Sequence, residues 1–309
     1  MTDTLDKAPA PSVPPEQIKA IPVRHYGRWV AGAVVVAIVA LLGVAFSNAK
    51  INYGVIPDYV FDKGIMEGAW TTLYISVLAM VLGVALGIVL AVMRLSSNPV
   101  TSTVSWFYIW FFRGTPVLVQ LLLWYNISLV FPILNLGFYK NEMTQVMTPV
   151  LTALLGLGLN EAAYMSEIVR AGIQSVDEGQ TEASHALGMT QGQTLRRVIL
   201  PQAMRVIIPP TGNEFINMLK TSALAYAVQL PELIKTVTDI SSASLAVVEM
   251  YFVACVWYLF LTTIFSIGQY YIERRYARGS SRNLPPTPLQ KIRANMTKMN
   301  LLSLSNWRR

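Results

Sequence analysis

Residues 69–93 read AWTTLYISVLAMVLGVALGIVLAVM, without a single charged side chain. A helix crossing the apolar layer of a bilayer needs about 20 such residues, so this stretch specifies a membrane span. Within it, Gly83 and Gly87 form a G-x-x-x-G pair, the spacing that lets a second helix approach closely. The chain around it is of the same kind. Of its 309 residues 53% are hydrophobic and only 13% charged, where soluble domains carry about 25% charged residues.

Five further segments are long or apolar enough to be read as spans: 29–46, about 115–131 after the aromatic elbow WFYIWFF, about 146–169, about 204–228, and 247–272. The fold class expected is all-α, a polytopic helical membrane protein of about six transmembrane helices. The fifth segment is the most polar. The single cysteine, Cys255, excludes an intrachain disulfide, and two distant histidines with one cysteine give no zinc or haem ligand set. No apolar region followed by a small-residue cleavage site opens the chain, so no cleaved signal peptide is expected.

Lys and Arg mark the cytoplasmic side of membrane proteins. With the amino terminus inside, nineteen of the 24 fall there, including Arg94, Arg113, Arg170, Arg196, Arg197 and Arg205, and Lys50, Lys63, Lys140 and Lys235 fall outside. The expected localisation is the bacterial cytoplasmic membrane, multi-pass, with both termini cytoplasmic. The net charge of +7 is this bias and implies no nucleic-acid partner. Residues 1–22, rich in Pro, Ala and charge, read as a disordered tail. Residues 277–309 carry seven basic residues and no acidic one. They read equally as a disordered basic tail or as an amphipathic helix on the anionic inner leaflet.

The least apolar stretch is DEGQTEASHALGMTQGQTLRRVILP, residues 177–201. Ser175 and Glu178 have capping-box spacing and open a short helix with Asp177 and Glu178 at its positive end. Ala183, Ala186 and Leu187 make a small apolar face. Gly188 stops the helix, Thr190 and Gln193 cap a second one, and Pro201 breaks or kinks it. Such a helix buries little by itself. It is either a plug for a groove in another protein or a mere connector.

Charged and amide side chains inside spans face cavities or partners. Asn160, Glu161, Glu167 and Arg170 lie on the fourth span, Glu167 and Arg170 one turn apart as an ion pair. On the fifth, Asn213, Asn217 and Lys220 share one face beside Glu214, Thr221 and Ser222, after a Pro209-Pro210 pair that weakens the helix and frees backbone groups. Glu161, Asn213, Glu214, Asn217, Lys220, Thr221 and Ser222 are therefore candidates for a substrate pathway. Lys220 or Thr221 would serve a carboxylate and Glu214 an ammonium. Interhelical hydrogen bonding or a subunit interface is the alternative use of this face. Arg113 reads as a lipid-phosphate contact or a gate, and His185 as a solvated or partner-facing residue.

The stretch EASHALGMTQGQTLRRVILP resembles the EAA loop of bacterial ABC-importer permeases, E-A-A-x3-G-x9-I-x-L-P, through Glu182, Ala183, Gly188, Leu200 and Pro201. Ser184 and Val198 replace an alanine and an isoleucine. WFFRGTPVLVQLLLWY, AAYMSEIVRAGIQSVDEGQTEA, LPQAMRVIIPPTGNEFINMLKTSAL and QLPELI extend the likeness to the polar amino acid branch, the histidine/glutamine permease-like family, over about residues 64–275. That family has five spans, so the first is extra, and its K-x-TSL becomes Lys220-Thr221-Ser222-Ala223-Leu224.

The resemblance implies four regions beyond the fold class: a tail 1–22, an extra span and outer loop 23–63, an importer core 64–276 with its coupling loop at 175–201, and a basic tail 277–309. It implies a permease subunit that is not an enzyme, translocates a polar amino acid, and is coupled through the loop to a separate ATP-binding subunit. A second permease subunit and an extracytoplasmic solute-binding protein complete the implied assembly. ATP and Mg would be held by the ATPase, and no G-x4-G-K-[ST] phosphate loop occurs here. The rival from the residues alone is an ion-coupled secondary transporter using Glu161 and Glu214. An intramembrane enzyme is weaker, since no HExxH or nucleophile constellation is found.

Overall fold

The computed structural model describes residues 26–277. The expected tail 1–22 and all but the first residue of the tail 277–309 lie outside the described residues. The chain divides into two units, Met1–Ile51 and Asn52–Arg309. In the first, helix α1 (Tyr26–Ser47) carries no charged residue after Arg28, and Trp29–Ser47 is long and apolar enough to span a membrane.

The second unit opens with a 3₁₀ turn (Tyr53–Val55) and a short helix α2 (Ile56–Val60), followed by α3 (Lys63–Arg94), α4 (Pro99–Gly114) and α5 (Val117–Tyr125). A small hairpin of β1 (Ile133–Asn135) and β2 (Lys140–Glu142) leads to α6 (Met143–Val146) and α7 (Pro149–Gln174). Then come α8 (Glu178–Ala186), α9 (Gln191–Thr194), α10 (Leu200–Thr221), α11 (Leu233–Ser244) and α12 (Val247–Ala277). The protein is thus an all-α polytopic membrane protein. Among the described residues three helices meet the length and hydropathy of a span, α1, α3 and α12, and a fourth if α4 and α5 count as one. Helices α7 and α10 have the length, but Asn160 and Glu161 in one and Asn213, Glu214, Asn217 and Lys220 in the other lower their hydropathy.

The expected third span, about 115–131 after an elbow at WFYIWFF, is instead a broken pair, and WFYIWFF itself is helical within α4. Helices α4 and α5 bend by 101°. Pro116 sits in the corner, and the residue before a proline is pushed out of helical conformation; Thr115 is extended, at φ −117° and ψ 144°. The corner frees carbonyls, and two side chains take them up. Gln120 Nε2 donates to Phe112 O at 3.0 Å and to Thr115 O at 3.1 Å, and Asn160 Nδ2 donates to Phe112 O at 2.8 Å. In lipid such groups must be satisfied internally.

The bundle is organised on α3 and α7. A Cβ placed on Gly83 would come within 2.6 Å of Glu161 Cγ, and one on Gly87 within 2.6 Å of Met165 Cβ. Residue numbers rise together along the contact, so the two helices run parallel. No hydrophobic effect drives helices together in lipid, and association there comes from van der Waals packing and hydrogen bonds; glycine supplies the former by bringing backbones close. Helix α10 returns antiparallel. Its Ala203 and Ile207 join Met165 and Val169 of α7 and Met80 of α3 in one cluster, and its far end brings Met218 to Ile75 and Leu157 in another. Helix α12 lies against α10, with Phe265 edge-on to Phe215 and Gln269 Nε2 donating to Pro209 O at 2.7 Å.

At the end of the bundle where α3 begins, Glu232 is fully buried at the cap of α11. It accepts from the backbone of Ile234 and Lys235, from Thr72 of α3 and from Tyr258 of α12. One carboxylate therefore ties three helices.

Replacing Gly87 by leucine would force α3 from α7, and overpacking of this kind costs about 1–3 kcal/mol. The detergent-solubilised G87L protein should show a lowered midpoint in a thermal-stability scan. Gly268→Ala, where an added methyl meets nothing within 4 Å, should melt like the parent.

Candidate functional site

Two features stand out from the apolar bundle: the turn between α7 and α10, and a polar cavity between α7 and α10 at the α4–α5 corner.

The turn is built by local sequence. Ser175 does not open α8; its hydroxyl donates to Gly172 O at 2.7 Å and closes α7. The cap is Asp177, whose Oδ1 accepts from Gly179 N at 2.8 Å. Asp competes well for the cap and lies one residue before the helix proper, so the expected Ser175–Glu178 box does not form. Helix α8 ends in a Schellman motif: Gly188 N donates to His185 O at 2.9 Å and Met189 N to Ser184 O at 3.1 Å. Gly188 takes φ +76°, in the left-handed region. The second expected box is formed, with Gln193 N donating to Thr190 Oγ1 and Thr190 N to Gln193 Oε1.

On α8, Ser184 faces inward, while Glu182, Ala183, Ala186 and Leu187 are exposed, Leu187 to 82%. Gln202 Nε2 donates to Gln180 Oε1 at 3.3 Å and holds α8 to α10. Leu200 is half-buried and Pro201 exposed, in the first turn of α10. Pro201 cannot donate to the carbonyl four residues back, and the preceding segment Leu195–Ile199 is a π-helical turn, closed by Leu200 N donating to Leu195 O. The break expected at Pro201 is therefore a widened turn, not an interruption.

The cavity, of about 390 Å³, is lined by Val117 of α5, Leu157, Asn160, Glu161 and Tyr164 of α7, and Glu214, Asn217, Met218, Lys220 and Thr221 of α10. Of the seven sequence candidates it gathers five: Glu161, Glu214, Asn217, Lys220 and Thr221. Asn213 turns away, its Nδ2 3.5 Å from Glu273 Oε1 on α12. Ser222 is buried and donates to Leu219 O at 2.9 Å. Helix α10 runs on through Pro209-Pro210, from Leu200 to Thr221, and Gln269 of α12 donates to the Pro209 carbonyl. The helix changes only beyond Thr221, into the 3₁₀ turn Ser222–Val228.

Glu161 is the most constrained member. It is 5% exposed, and its Oε1 has no hydrogen-bond partner among the described residues. Gly83 makes room for its stem, so the close packing of α3 on α7 and the placement of this carboxylate are one arrangement. Buried polar oxygens are normally paired, and this one lines the cavity. Glu214 adds a second carboxylate and Lys220 an ammonium. Such a cavity can hold a small molecule with at least one cationic and one anionic group. Glu167 and Arg170 pair at 2.6 Å, as their spacing predicts. Sequence reasoning missed Gln120, which with Asn160 fastens the corner beside the cavity; its one signal was an amide four residues after Pro116.

Residues 83–278 match the family model of the binding-protein-dependent transport system inner membrane component. The arginine transport system permease protein ArgU of Corynebacterium glutamicum is 47% identical over 295 residues, covering 94% of this chain and 93% of that protein. So long an alignment takes in α1. The probable amino-acid permease protein YxeN of Bacillus subtilis is 40% identical over 208 residues, covering 67% of this chain and 88% of that protein. Among solved structures, an amino acid ABC transporter crystallised with histidines is 36% identical with a TM-score of 0.64, covering 74% of this chain and all of that one.

A β-branched residue at 188 is strained by about 1–2 kcal/mol in the left-handed region. Limited proteolysis of membranes carrying Gly188→Val should cut between α8 and α9 faster than in the parent. Gly188→Asn, which tolerates that backbone, should be cut like the parent.

Proposed function

The chain belongs to the family of inner membrane components of binding-protein-dependent transport systems and is a membrane permease subunit of an ABC-type amino-acid importer, a transport subunit and not an enzyme; we propose that its cargo is a polar amino acid with a cationic side chain, held in the cavity between α7 and α10. The observation that carries this is the open, buried Glu161 oxygen facing a cavity that also holds Glu214 and Lys220. Two carboxylates suit a cargo with two cationic groups, the α-ammonium and the side chain, and Lys220 or Thr221 suits its carboxylate. The volume lies in the range of ligand pockets, roughly 300–1,000 Å³. The name of the arginine permease from Corynebacterium glutamicum supports the same chemistry.

On this proposal six segments cross the bacterial inner membrane: α1, α3, the bent pair α4–α5, α7, α10 with its 3₁₀ turn, and α12. Both termini and the α8–α9 turn lie in the cytoplasm, as the Lys and Arg distribution favours. The exposed Glu182 and Ala183 beside the Gly188 corner form the surface on which a separate ATP-binding subunit docks, with Leu200 and Pro201 passing its movement to α10. A second permease subunit and an extracytoplasmic solute-binding protein complete the assembly. ATP and Mg belong to the ATPase. An ion-coupled transporter, the rival from residues alone, gives way to the family assignment.

Uptake of L-arginine into vesicles holding the complete transporter should require ATP and the binding protein. Uptake that persists without the ATPase and collapses with the proton gradient would overturn the importer reading. Charged hydrogen bonds contribute about 1.5–3 kcal/mol, so Glu214→Gln should raise KM for arginine roughly tenfold to a hundredfold. In the same vesicles Gly188→Val should leave ATP hydrolysis running while transport falls; coupled transport at the parental rate would remove the docking role from this corner.

A further inference from the structure

Beside the polar cavity lies a second one, of about 480 Å³, whose lining includes Arg94, Trp106, Trp110, Arg113, Tyr164 and Glu167. The two cavities share one residue, Tyr164. Along α7 the sequence of lining residues is Asn160 and Glu161 in the first cavity, Tyr164 in both, and Glu167 in the second. These positions are one helical turn apart and form a single stripe. The α4–α5 corner divides the cavities in the same place, with Val117 facing the first and Gly114 the second. Across that division the guanidinium carbon of Arg113 sits 5.2 Å from the centre of the Tyr164 ring. Arg113 has no ion pair and no side-chain hydrogen bond among the described residues.

The charges on the two sides differ in sign. The first cavity holds two carboxylates and one ammonium. In the second, Glu167 is already matched by Arg170 at 2.6 Å and Arg94 Nη1 is engaged by Ser102 Oγ at 3.0 Å. Arg113 is the guanidinium held only by an aromatic face. Cation–π contacts of this kind are weak beside a charged hydrogen bond.

From this geometry we infer that the two cavities are successive stations of one route, and that the stack of Arg113 on Tyr164 is the gate between them. The gate opens when an anionic group competes for Arg113. A zwitterion in the first cavity, its ammonium on Glu161 or Glu214, passes its carboxylate from Lys220 or Thr221 to Arg113, which leaves the ring and follows the carboxylate into the second cavity. This step rests on the proposal that the first cavity holds the cargo, and on the second cavity lying at the cytoplasmic end.

The gate can be tested without substrate, ATPase or binding protein. In the full chain Cys255→Ser removes the native thiol and Val117→Cys, at a position given no part in holding the cargo, places a reporter thiol in the first cavity. Inside-out vesicles are treated with a membrane-impermeant maleimide, and the total reporter thiol is measured after denaturation. Breaking the stack by either Arg113→Ala or Tyr164→Ala should speed labelling by about tenfold, while Tyr164→Phe, which keeps the ring face, should stay within about twofold of the parent. Parental rates in both alanine variants would overturn the gate. So would a phenylalanine variant as open as the alanine one. L-arginine added to the same vesicles should slow labelling of the reporter thiol if the first cavity is its site. Absence of that protection would remove the cargo assignment and leave the response of labelling to Arg113 and Tyr164 intact.

Discussion

The contact on which the other elements depend is the parallel approach of α3 and α7 through Gly83 and Gly87. It removes two side chains so that two backbones can lie close, and packing is the attraction available between helices in a lipid environment. Helix α10 is then laid across the pair through Ala203, Ile207 and Met218, and α12 is laid on α10. Because Gly83 also houses the stem of Glu161, the packing that makes the bundle fixes the most buried carboxylate of the cavity.

Polar side chains divide into two kinds, and the division follows their partners. Gln120, Asn160, Thr72 and Glu232 are consumed by the fold. The first two satisfy the carbonyls that Pro116 frees, and the last two join α3, α11 and α12 at one end. Asn160 also borders the cavity, but Glu161, Glu214, Asn217 and Lys220 line it with side chains the corner does not use. Burial alone does not separate the kinds, since Glu232 is more buried than Glu161. What separates them is whether each oxygen finds a donor: Glu232 accepts four hydrogen bonds, while Glu161 Oε1 has no partner among the described residues.

Features set by neighbours in sequence were legible before the structure. The Gly188 corner, the Thr190–Gln193 box, the Glu167–Arg170 pair and the Gly83/Gly87 contact depend on residue types at fixed short spacing. Features set by distant partners were not. An apolar count ran straight through Pro116, because one glutamine does not stop such a count and the other amide that rewards a break there, Asn160, lies on a different helix. The Pro209-Pro210 pair read as a weak point, yet the helix continues through it, with Gln269, sixty residues on, donating to the Pro209 carbonyl. Asn213 belonged to the right helix, but α12, which offers Glu273, decides that it faces away, and Ser222 falls just past that helix in the 3₁₀ turn. At the cap of α8 the error was local: Ser175 and Asp177 both fit, and the closing turn of α7 claims the serine.

The tight seam between α3 and α7 also constrains how this sequence can drift. At 83 and 87 an added methylene has no free volume on the opposite helix, and on that helix Gly158 has the same relation to Leu82. A larger residue on one side is tolerable only with a smaller one facing it, so changes along the seam must come in compensating pairs. The outward sides of both helices are free of that bookkeeping, and neutral variation can accumulate there.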